Sequence, residues 1–238
     1  MKKLAIVPAY NEEGAIGGVV DEIRAFDPAF DVVVIDDASS DRTAEAAARR
    51  GARVVRLPFN LGIGGAVQTG FRYAFDGDYD IVARIDGDGQ HDPAQLAKLL
   101  PLVLGGEADV CVGSRFAGAD GYRSSGVRRI GIRILARTVS LLTGQHLTDT
   151  TSGFQVLNRR AIALFAQDYP HDYPEVEAAV MVHKHRLRLA EVPVSMRERE
   201  HGSSSIGALT SVYYMIKVLL AIFVDMFRRD IIPLEDEG

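Results

Sequence analysis

The chain has 238 residues, of which 27 are Lys or Arg and 32 are Asp or Glu, giving a net charge of −5. Hydrophobic residues make up 47% and charged residues 25%, a composition that is typical of a globular protein and excludes a disordered one. An acidic chain is not expected to bind nucleic acid, since such proteins are usually basic. The single cysteine, Cys111, excludes an intrachain disulfide and a thiolate metal cluster, and its apolar neighbours predict a buried side chain. Because the N-terminal apolar segment is too short for a signal peptide, we expect a cytoplasmic protein.

Short runs rich in β-branched residues alternate with amphipathic segments in the first half of the chain. The runs are residues 4–7, 32–35, 53–57, 81–85 and 110–112, and the amphipathic segments lie near 13–26, 41–50, 64–77 and 93–105. Strand followed by helix, repeated four times, predicts an α/β protein with a mostly parallel sheet. Ligands of such sheets bind beyond the carboxyl ends of the strands.

The alternation is less regular after residue 115. The predicted elements are a loop at 116–127, a helix at 128–143, a strand at 190–194, a polar loop at 195–206 and a long apolar helix at 207–229. We therefore expect one domain over residues 1–206, followed by an amphipathic helix and an acidic tail over residues 207–238. Lys217 and Asp225 in that helix would each cost about 2.5–3.5 kcal/mol at mid-membrane depth. This favours a helix that lies on the membrane surface or packs against a partner over one that spans the bilayer.

Two carboxylates separated by one glycine follow the run 81–85. Asp86 and Asp88 can both reach one divalent cation, such as Mg²⁺ or Mn²⁺, that also takes oxygens from a substrate phosphate. An EF-hand is excluded, because the sixth and twelfth positions of that loop would be His91 and Ala97 rather than glycine and glutamate. The alternative is a tight turn without a ligand.

A second acidic pair, Asp36 and Asp37, follows the run 32–35. Adjacent side chains of an extended segment point to opposite sides. We therefore expect one of the two to face the ligand crevice and the other to turn inward or form a cap.

The glycines at positions 62, 64 and 65 fit neither common phosphate-binding template. A dinucleotide-binding motif would need glycine at position 67, which is valine, and a P-loop would need a following Gly-Lys-Ser/Thr. Close packing of a helix against the sheet is the better explanation.

Three motifs together resemble the inverting glycosyltransferases of family 2, which have the GT-A fold. These motifs are Pro8–Glu12, Ile35–Thr43 and Asp86–His91. Two later ones, Gly113–Arg115 and Asp149–Phe154, resemble the branch of dolichyl-phosphate mannosyltransferases and polyprenyl-phosphate sugar transferases. The resemblance covers residues 3–206 and implies a three-layer α/β/α fold.

The resemblance also implies a role for each matching residue. Nucleotide-binding positions are matched by Pro8, Tyr10, Glu12, Ile35, Asp37, Asp86, Gly87 and Asp88. The site for Mg²⁺ or Mn²⁺ is matched by Asp86, Asp88 and Gln90. Catalytic roles are implied for Asp88, Asp149, Arg115 and Arg129, of which the two arginines meet the phosphates.

Positive charge is concentrated between residues 115 and 137, where six arginines accompany one acid, Asp120. Arg129, Arg133 and Arg137 recur every four residues and share one face of the predicted helix. Guanidinium groups bind phosphate oxygens, so this face predicts a phosphate-bearing acceptor or an anionic lipid surface; a solvated basic face is the alternative.

The late loop departs from the family. Many members carry a lysine there, but residues 202–206 are Gly-Ser-Ser-Ser-Ile. Contact with the acceptor phosphate would then fall to Arg197, Arg199 or His201.

The leading hypothesis is a metal-dependent, inverting transfer of a sugar, with mannose favoured, from a GDP- or UDP-sugar to polyprenyl or dolichyl phosphate. A phosphate acceptor is already anionic and needs no general base, whereas a sugar hydroxyl would need one. The candidate bases are Asp149, which is preferred, and Asp172, Glu175 and Glu177.

Two alternatives remain at this stage. One is a transferase that acts on a sugar hydroxyl in polysaccharide or glycolipid synthesis, and the other is a non-catalytic nucleotide-binding scaffold that recruits a membrane partner. Under the leading hypothesis we expect a peripheral protein at the cytoplasmic face of the membrane. An integral-membrane protein or a second copy of the chain would be a further partner.

Overall fold

A computed structural model describes residues 1–115, 126–145, 147–171 and 174–197, together with Lys217 and Leu220; for residues 126–133 it describes the backbone alone. The strands are β1 (Lys3–Ala9), β2 (Phe30–Asp36), β3 (Arg53–Arg56), β4 (Ile81–Arg84), β5 (Val110–Ser114), β6 (Gln155–Asn158) and β7 (Leu189–Pro193). The helices are α1 (Ile16–Phe26), α2 (Thr43–Arg49), α3 (Gly62–Asp76), α4 (Leu96–Leu104), α5 (Gly126–Thr143), α6 (Arg159–Gln167) and α7 (Pro174–Lys184). A 3₁₀ turn, Pro93–Gln95, precedes α4.

The strands form one sheet in the order β3-β2-β1-β4-β6-β5-β7. All neighbouring pairs are parallel except those of β6, which runs antiparallel to both β4 and β5. The predicted α/β class and mostly parallel sheet are confirmed, as are the predicted strands that became β1–β5 and β7. The sequence did not predict β6, because four residues that begin with Gln and end with Asn give no strand pattern of their own.

The two faces of the sheet carry separate hydrophobic cores. In β1, Ala5 and Val7 belong to the core that includes α1 and α4, whereas Leu4 and Ile6 belong to the core that includes α3 and α6. This alternation follows from the pleat of a strand, which sends successive side chains to opposite faces. Because both faces are covered by helices, the strands are continuously apolar and the fold has the three layers that the family resemblance implies.

Glycine packing in α3 differs from the prediction. A Cβ atom at Gly70 would lie 2.3 Å from Cγ2 of Ile6, so the helix does approach the sheet closely at this position. A Cβ atom at Gly64 would instead lie 2.5 Å from the carbonyl oxygen of Pro170, in the segment after α6. The prediction that this glycine packs against the sheet is therefore wrong, because Pro170 and His171 are the residues that approach it.

The ligand crevice is set by the strand order. The chain passes from β1 to β2 and β3 on one side and returns to β4 on the other side of β1. Ala9 is aligned with Asp36, and Ile6 with Arg84, so the loops after these three strands leave the sheet at the same edge. A crevice opens at such a switch point.

Several predictions concern residues outside the described ranges. Most of the predicted loop at 116–127, most of the predicted loop at 195–206 and the boundary at 206/207 belong to this group. Gly126 and Val127, which the prediction placed in the first of these loops, instead begin α5. Within the predicted helix 207–229 only Lys217 and Leu220 are described, and both are helical. In the part of the chain that the structure describes, no helix has the length and apolar character needed to cross a membrane.

Candidate active site

A cavity of about 500 Å³ lies at the carboxyl edge of the sheet, between the loops after β1, β2 and β4 and the start of α3. It is lined by Pro8, Ala9, Tyr10, Glu12, Asp37, Asn60, Gly62, Ile63, Ala66, Asp86, Gly87 and Asp88. The structure thus brings together the residues expected to bind a nucleotide, with the exception of Ile35. The side chain of Ile35 is fully buried in the core beneath α3.

The loops after β1 and β2 are tied into one wall of this cavity. The Asn11 amide oxygen accepts a hydrogen bond from the Ser40 backbone N–H (2.8 Å), and the Asn11 N–H donates to Oγ of Ser39 (2.9 Å). The backbone N–H of Glu12 donates to Oγ1 of Thr43 at 2.8 Å. Asn11 has a φ of 56°, a left-handed conformation that asparagine tolerates better than most residues. These bonds hold the first loop in one conformation.

The side chains of the acidic pair at the end of β2 point in different directions, as predicted. Asp36 is fully buried and forms an ion pair with Nε of Arg56 at 3.3 Å. Asp37 lines the cavity and accepts hydrogen bonds from the backbone N–H groups of Leu61 (2.7 Å) and Gly62 (2.9 Å). One carboxylate therefore turns inward and the other faces the crevice, where it also binds the first backbone amides of α3.

The two carboxylates after β4 face the same cavity. The backbone N–H of Gly87 donates to the carbonyl oxygen of Pro8 at 3.1 Å, and a Cβ atom at Gly87 would lie 3.0 Å from that oxygen. A larger residue would push this loop away from the end of β1. Oδ1 of Asp88 accepts a hydrogen bond from the Gln90 N–H at 3.0 Å, which fixes the turn that follows Asp88.

The surroundings of Asp86 leave one of its oxygens available. Oδ1 is buried and has no hydrogen-bond partner among the described residues, although Nη2 of Arg84 lies 3.6 Å away. Oδ2 lies 3.8 Å from Nε2 of His91. Burial alone would raise the pKa of Asp86, but the nearby groups, His91 first and then Arg84, lower it below its usual value. Asp86 is therefore a carboxylate at neutral pH.

His91 is a residue of this site that the sequence analysis did not identify. Its Nδ1 accepts a hydrogen bond from the Asp86 backbone N–H at 3.0 Å, so the ring proton of the neutral form is on Nε2. Burial lowers the pKa of His91, and its ring packs 5.0 Å from that of Phe154. The spacing to Asp86 was the available signal, but a single histidine after an acidic turn does not indicate a role by itself.

The residues present fit a divalent cation. Asp86 and Asp88 offer the hard oxygen atoms that Mg²⁺ and Mn²⁺ prefer, and the buried Oδ1 of Asp86 is an acceptor that a cation would satisfy. Over the described ranges, no group of three or more His, Cys, Asp or Glu side chains is placed to hold a metal, so oxygens of a bound ligand would complete the coordination. The backbone of Gln90, the third predicted metal residue, accepts a hydrogen bond from the Arg197 N–H at 2.9 Å.

A buried arginine lies directly behind the cavity. Arg84 is 1% exposed and donates from Nη1 to the Tyr169 hydroxyl (3.0 Å) and from Nη2 to Oε1 of Glu175 (2.7 Å). Burial alone would lower the pKa of Arg84, but Tyr169, Glu175 and Asp86 raise it, so the guanidinium stays charged. The sequence indicates that Arg84 is paired, because a charged residue in an apolar buried strand needs a partner.

A second arginine is paired with the acid of the late motif. Arg115 donates from Nε to Oδ2 of Asp149 (2.7 Å) and from Nη2 to Oδ1 (2.9 Å). The Thr151 hydroxyl also donates to Oδ1 at 2.9 Å. The carboxylate of Glu191 accepts the backbone N–H groups of Thr148 (2.8 Å) and Asp149 (2.7 Å). The loop that carries Asp149 is thereby fixed to β7, and the side chain of Asp149 to the end of β5.

This pairing determines the ionisation of Asp149. Burial alone would raise its pKa, but the hydrogen bonds and charge of Arg115 outweigh burial and hold the pKa below its usual value. Both carboxylate oxygens are engaged, and the side chain is fully buried. Asp149 is consequently a poor general base.

In the described part of the chain, the other basic residues that were predicted to bind phosphate do not lie together. Arg197 donates from Nη1 to both carboxylate oxygens of Glu22 at 2.8 Å. Arg129 and Arg133 lie on α5, with side chains outside the description, and Arg199 and His201 lie outside it altogether, as does Asp172. Glu175, a candidate base, is bound to Arg84.

Comparison with known proteins identifies the family. The family described as Glycosyl transferase family 2 matches residues 4–165. The undecaprenyl-phosphate mannosyltransferase of Micrococcus luteus is 32% identical over 223 residues, covering 87% of this chain and 88% of the relative. A UDP-N-acetylglucosamine–dolichyl-phosphate N-acetylglucosaminyltransferase of Methanococcus voltae is 27% identical over 210 residues, covering 79% and 83%.

A solved structure supports the fold. Glucosyl-3-phosphoglycerate synthase from Mycobacterium tuberculosis, in complex with Mn²⁺, UDP-glucose and phosphoglyceric acid, matches with a TM-score of 0.70 and 24% identity. The match covers 93% of this chain and 79% of that one. The chain described here therefore belongs to glycosyl transferase family 2 and is a glycosyltransferase with the GT-A fold.

Proposed function

We propose that this glycosyltransferase transfers a hexose, mannose in the first instance, from a GDP- or UDP-sugar to a polyprenyl phosphate, with inversion at the anomeric carbon and with Mg²⁺ or Mn²⁺ held by Asp86 and Asp88. Two relatives support the acceptor class, since both are named for a lipid phosphate, undecaprenyl in one and dolichyl in the other. They differ in the sugar, and the more similar of the two is named for mannose. An enzyme of the same fold binds Mn²⁺ together with a nucleotide sugar.

The observation that carries the proposal is the pairing of Asp149 with Arg115. A transfer to a sugar hydroxyl needs a base to remove the hydroxyl proton. The preferred base from the sequence has both oxygens bound by Arg115, and a second candidate, Glu175, is bound to Arg84. A phosphate acceptor is anionic before it binds and requires neither residue as a base.

The proposed step is a single displacement. An oxygen of the acceptor phosphate attacks the anomeric carbon from the face opposite the diphosphate, and the bond between that carbon and the diphosphate oxygen breaks, its electron pair leaving with the nucleoside diphosphate. The cavity lined by Tyr10, Asp37 and Asp88 would hold the nucleotide, and the guanidinium of Arg115, which Asp149 holds in place, would meet its phosphates. A bound Mg²⁺ or Mn²⁺ would supply charge neutralisation for the diphosphate. Catalysis then rests on alignment and electrostatics.

The proposal places the protein peripherally at the cytoplasmic face of the membrane that carries its acceptor. Arg137 of α5 is exposed, and Arg129 and Arg133 precede it on that helix by eight and four residues. A row of arginines at this spacing is suited to lipid phosphates and an anionic surface. The predicted helix 207–229 would lie along that surface or against an integral-membrane partner.

A transfer assay tests the proposal. Radiolabelled GDP-mannose, GDP-glucose, UDP-glucose and UDP-N-acetylglucosamine are each offered with a polyprenyl phosphate and Mn²⁺, and the organic phase is counted. We expect one donor to give an organic-soluble product that mild acid cleaves, with loss of the product in EDTA.

The matched control acceptor is the corresponding polyprenol, which has a hydroxyl in place of the phosphate. We expect no product from it. Equal transfer to the alcohol would contradict a base-free mechanism, and nucleotide binding without turnover on any acceptor would favour a scaffold.

A further inference from the structure

Arg84 and Asp86 lie on the same side of the chain at the end of β4, since they are two residues apart. They are packed against Gly153, where an added Cβ atom would lie 2.9 Å from Nη2 of Arg84 and 2.9 Å from Oδ2 of Asp86. The guanidinium and the carboxylate therefore share one tight space. Nevertheless, Nη2 lies 3.6 Å from Oδ1 of Asp86, which is beyond hydrogen-bond distance.

Glu175 holds the guanidinium in this position. Nη2 of Arg84 donates to Oε1 of Glu175 at 2.7 Å, a length typical of a charge-assisted bond. Nη1 is held from another direction by the hydroxyl of Tyr169, which is fully buried. Tyr169 in turn packs against the rings of Phe71 and Phe165, with centroid distances of 5.3 and 5.1 Å. The guanidinium is thus anchored by hydrogen bonds to Glu175 and Tyr169 and not by one to Asp86.

The competition between the two carboxylates matters because a buried arginine needs an ionic partner. Without the charge of Glu175, Asp86 would be the nearest remaining carboxylate, at 3.6 Å. A direct hydrogen bond from Arg84 would then use Oδ1 of Asp86, the oxygen that has no such partner in the described structure. An oxygen bound to a guanidinium is a poorer ligand for a cation.

We propose that Glu175 is a positioning residue for the cation site: its carboxylate holds the Arg84 guanidinium back from Asp86, so that Oδ1 of Asp86 stays available to a divalent cation. The inference rests on the proposed function, because it requires the cation to bind at Asp86. It assigns Glu175 a role other than that of a general base.

The test measures Mn²⁺ binding to the purified protein, with no sugar donor, from the electron paramagnetic resonance signal of free Mn²⁺. In Glu175→Gln the charge is lost and the size is kept, and we expect Mn²⁺ to bind about tenfold more weakly, the cost of freeing Asp86 from one charged hydrogen bond. The control is Glu107→Gln, which removes one negative charge from an exposed residue at the opposite end of β5 and should leave Mn²⁺ binding within about twofold.

A double variant separates positioning from general damage. In Arg84→Met/Glu175→Gln both charges are gone, and neutral replacement of a buried ion pair is often tolerated. No guanidinium then competes for Asp86, so Mn²⁺ binding should return to within about threefold of the wild-type value. A merely structural role for Glu175 would leave the double variant as weak as the single one. Should Glu175→Gln not fold, as judged by thermal unfolding, Glu175→Asp keeps the charge with a shorter reach and should bind Mn²⁺ with intermediate affinity.

The outcomes distinguish the inference from the proposed function. Wild-type binding that Asp88→Asn abolishes, with Glu175→Gln binding as tightly as wild type, would overturn the role of Glu175 alone. Absence of Mn²⁺ binding in the wild-type protein would overturn both the metal site and the inference. Weak binding in the single variant with recovery in the double variant supports both.

Discussion

Two arginines lie beside two carboxylates at the carboxyl edge of the sheet, and their pairings have opposite consequences. Arg115 binds both oxygens of Asp149, at 2.7 and 2.9 Å, so this carboxylate is used within the protein. Arg84 binds Glu175 at 2.7 Å and stays 3.6 Å from Asp86, so the second carboxylate keeps an oxygen for a ligand. The difference is the third carboxylate, Glu175.

The two pairings also differ in the net charge that they leave to attract a cation. Arg115 and Asp149 cancel each other's charge, whereas Arg84 faces two carboxylates, Asp86 and Glu175, and Asp88 adds a further negative charge to the same cavity. Coulomb interactions are strong in a partly buried site. A cation is therefore favoured after β4 and disfavoured after β5, although both strands end in an arginine–carboxylate arrangement.

The largest effect is expected from removing Asp88, a carboxylate that lines the cavity. Asp88→Ala should lower sugar transfer by about a thousandfold or more, because the proposed cation, which would neutralise the departing diphosphate, loses one of its two carboxylate ligands. The side chain is half-buried and its Oδ1 closes the turn that follows it, so the melting temperature should change by no more than about 2 °C. Transfer counts and circular-dichroism melting check the two statements. Activity above a tenth of the wild-type value would refute the assignment.

Removing the engaged carboxylate should instead affect stability. Asp149→Asn leaves Arg115 without its buried ionic partner, and breaking a buried pair costs about 3–5 kcal/mol, which is at least about 6 °C in melting temperature for a chain of this size. The matched control is Asp76→Asn, which breaks the exposed pair with Arg72 on α3 and should cost no more than about 0.5 kcal/mol. Equal melting temperatures for the two variants would contradict the importance of the buried pair.

The wild-type protein and Asp149→Asn should differ in their free energy of unfolding, and the pH dependence of that difference tests the ionisation of Asp149. Burial alone would raise the pKa of Asp149, but Arg115 lowers it below the usual 3.8. The stabilisation is then fully present above the unfolded-state pKa, about 3.9, and is lost as the pH falls through the lower folded-state pKa.

Urea denaturation of the wild-type protein and of Asp149→Asn at a series of pH values measures this difference. We expect it to be constant between about pH 5 and pH 8 and to shrink below about pH 4. A steady change between pH 5 and pH 8 would mean that Asp149 titrates there, and a role as general base would then be reinstated.

The smallest effect is expected at a third arginine–carboxylate pair. Arg197 binds both oxygens of Glu22 at 2.8 Å, but the two side chains are 47% and 42% exposed. Water competes for such a pair, so Glu22→Gln should change the free energy of unfolding by less than about 1 kcal/mol. Urea denaturation checks this, and a loss comparable to that of Asp149→Asn would mean that geometry rather than burial decides the strength of these pairs.

The sequence predicted most of the residues that line the cavity. Asp37, Asp86 and Asp88 follow apolar runs, and parallel strands bring their carboxyl ends to one edge, so their proximity could be inferred. The hydrogen-bond partners of these residues could not be inferred from the sequence. Nothing in the local pattern shows that Asp37 binds the first amides of α3 or that Arg84 reaches Glu175, which is 91 positions further along the chain.

The antiparallel strand β6 illustrates the same limit in the fold. Its residues, Gln155–Asn158, are too few to show a pattern, yet they bind β4 on one side and β5 on the other. The strand places Gly153 against Arg84 and Asp86, and so brings the late motif to the carboxylate that we propose as a cation ligand.

By itself, the sequence determined the α/β class, the strands of the first half and the polar residues that follow them, because a buried strand must be apolar and its flanking loop must not be. The tertiary structure alone decided which carboxylate is engaged and which is available. Charge pairing depends on distances between segments that are far apart in the chain, and in a buried site one additional partner changes which oxygen a guanidinium binds.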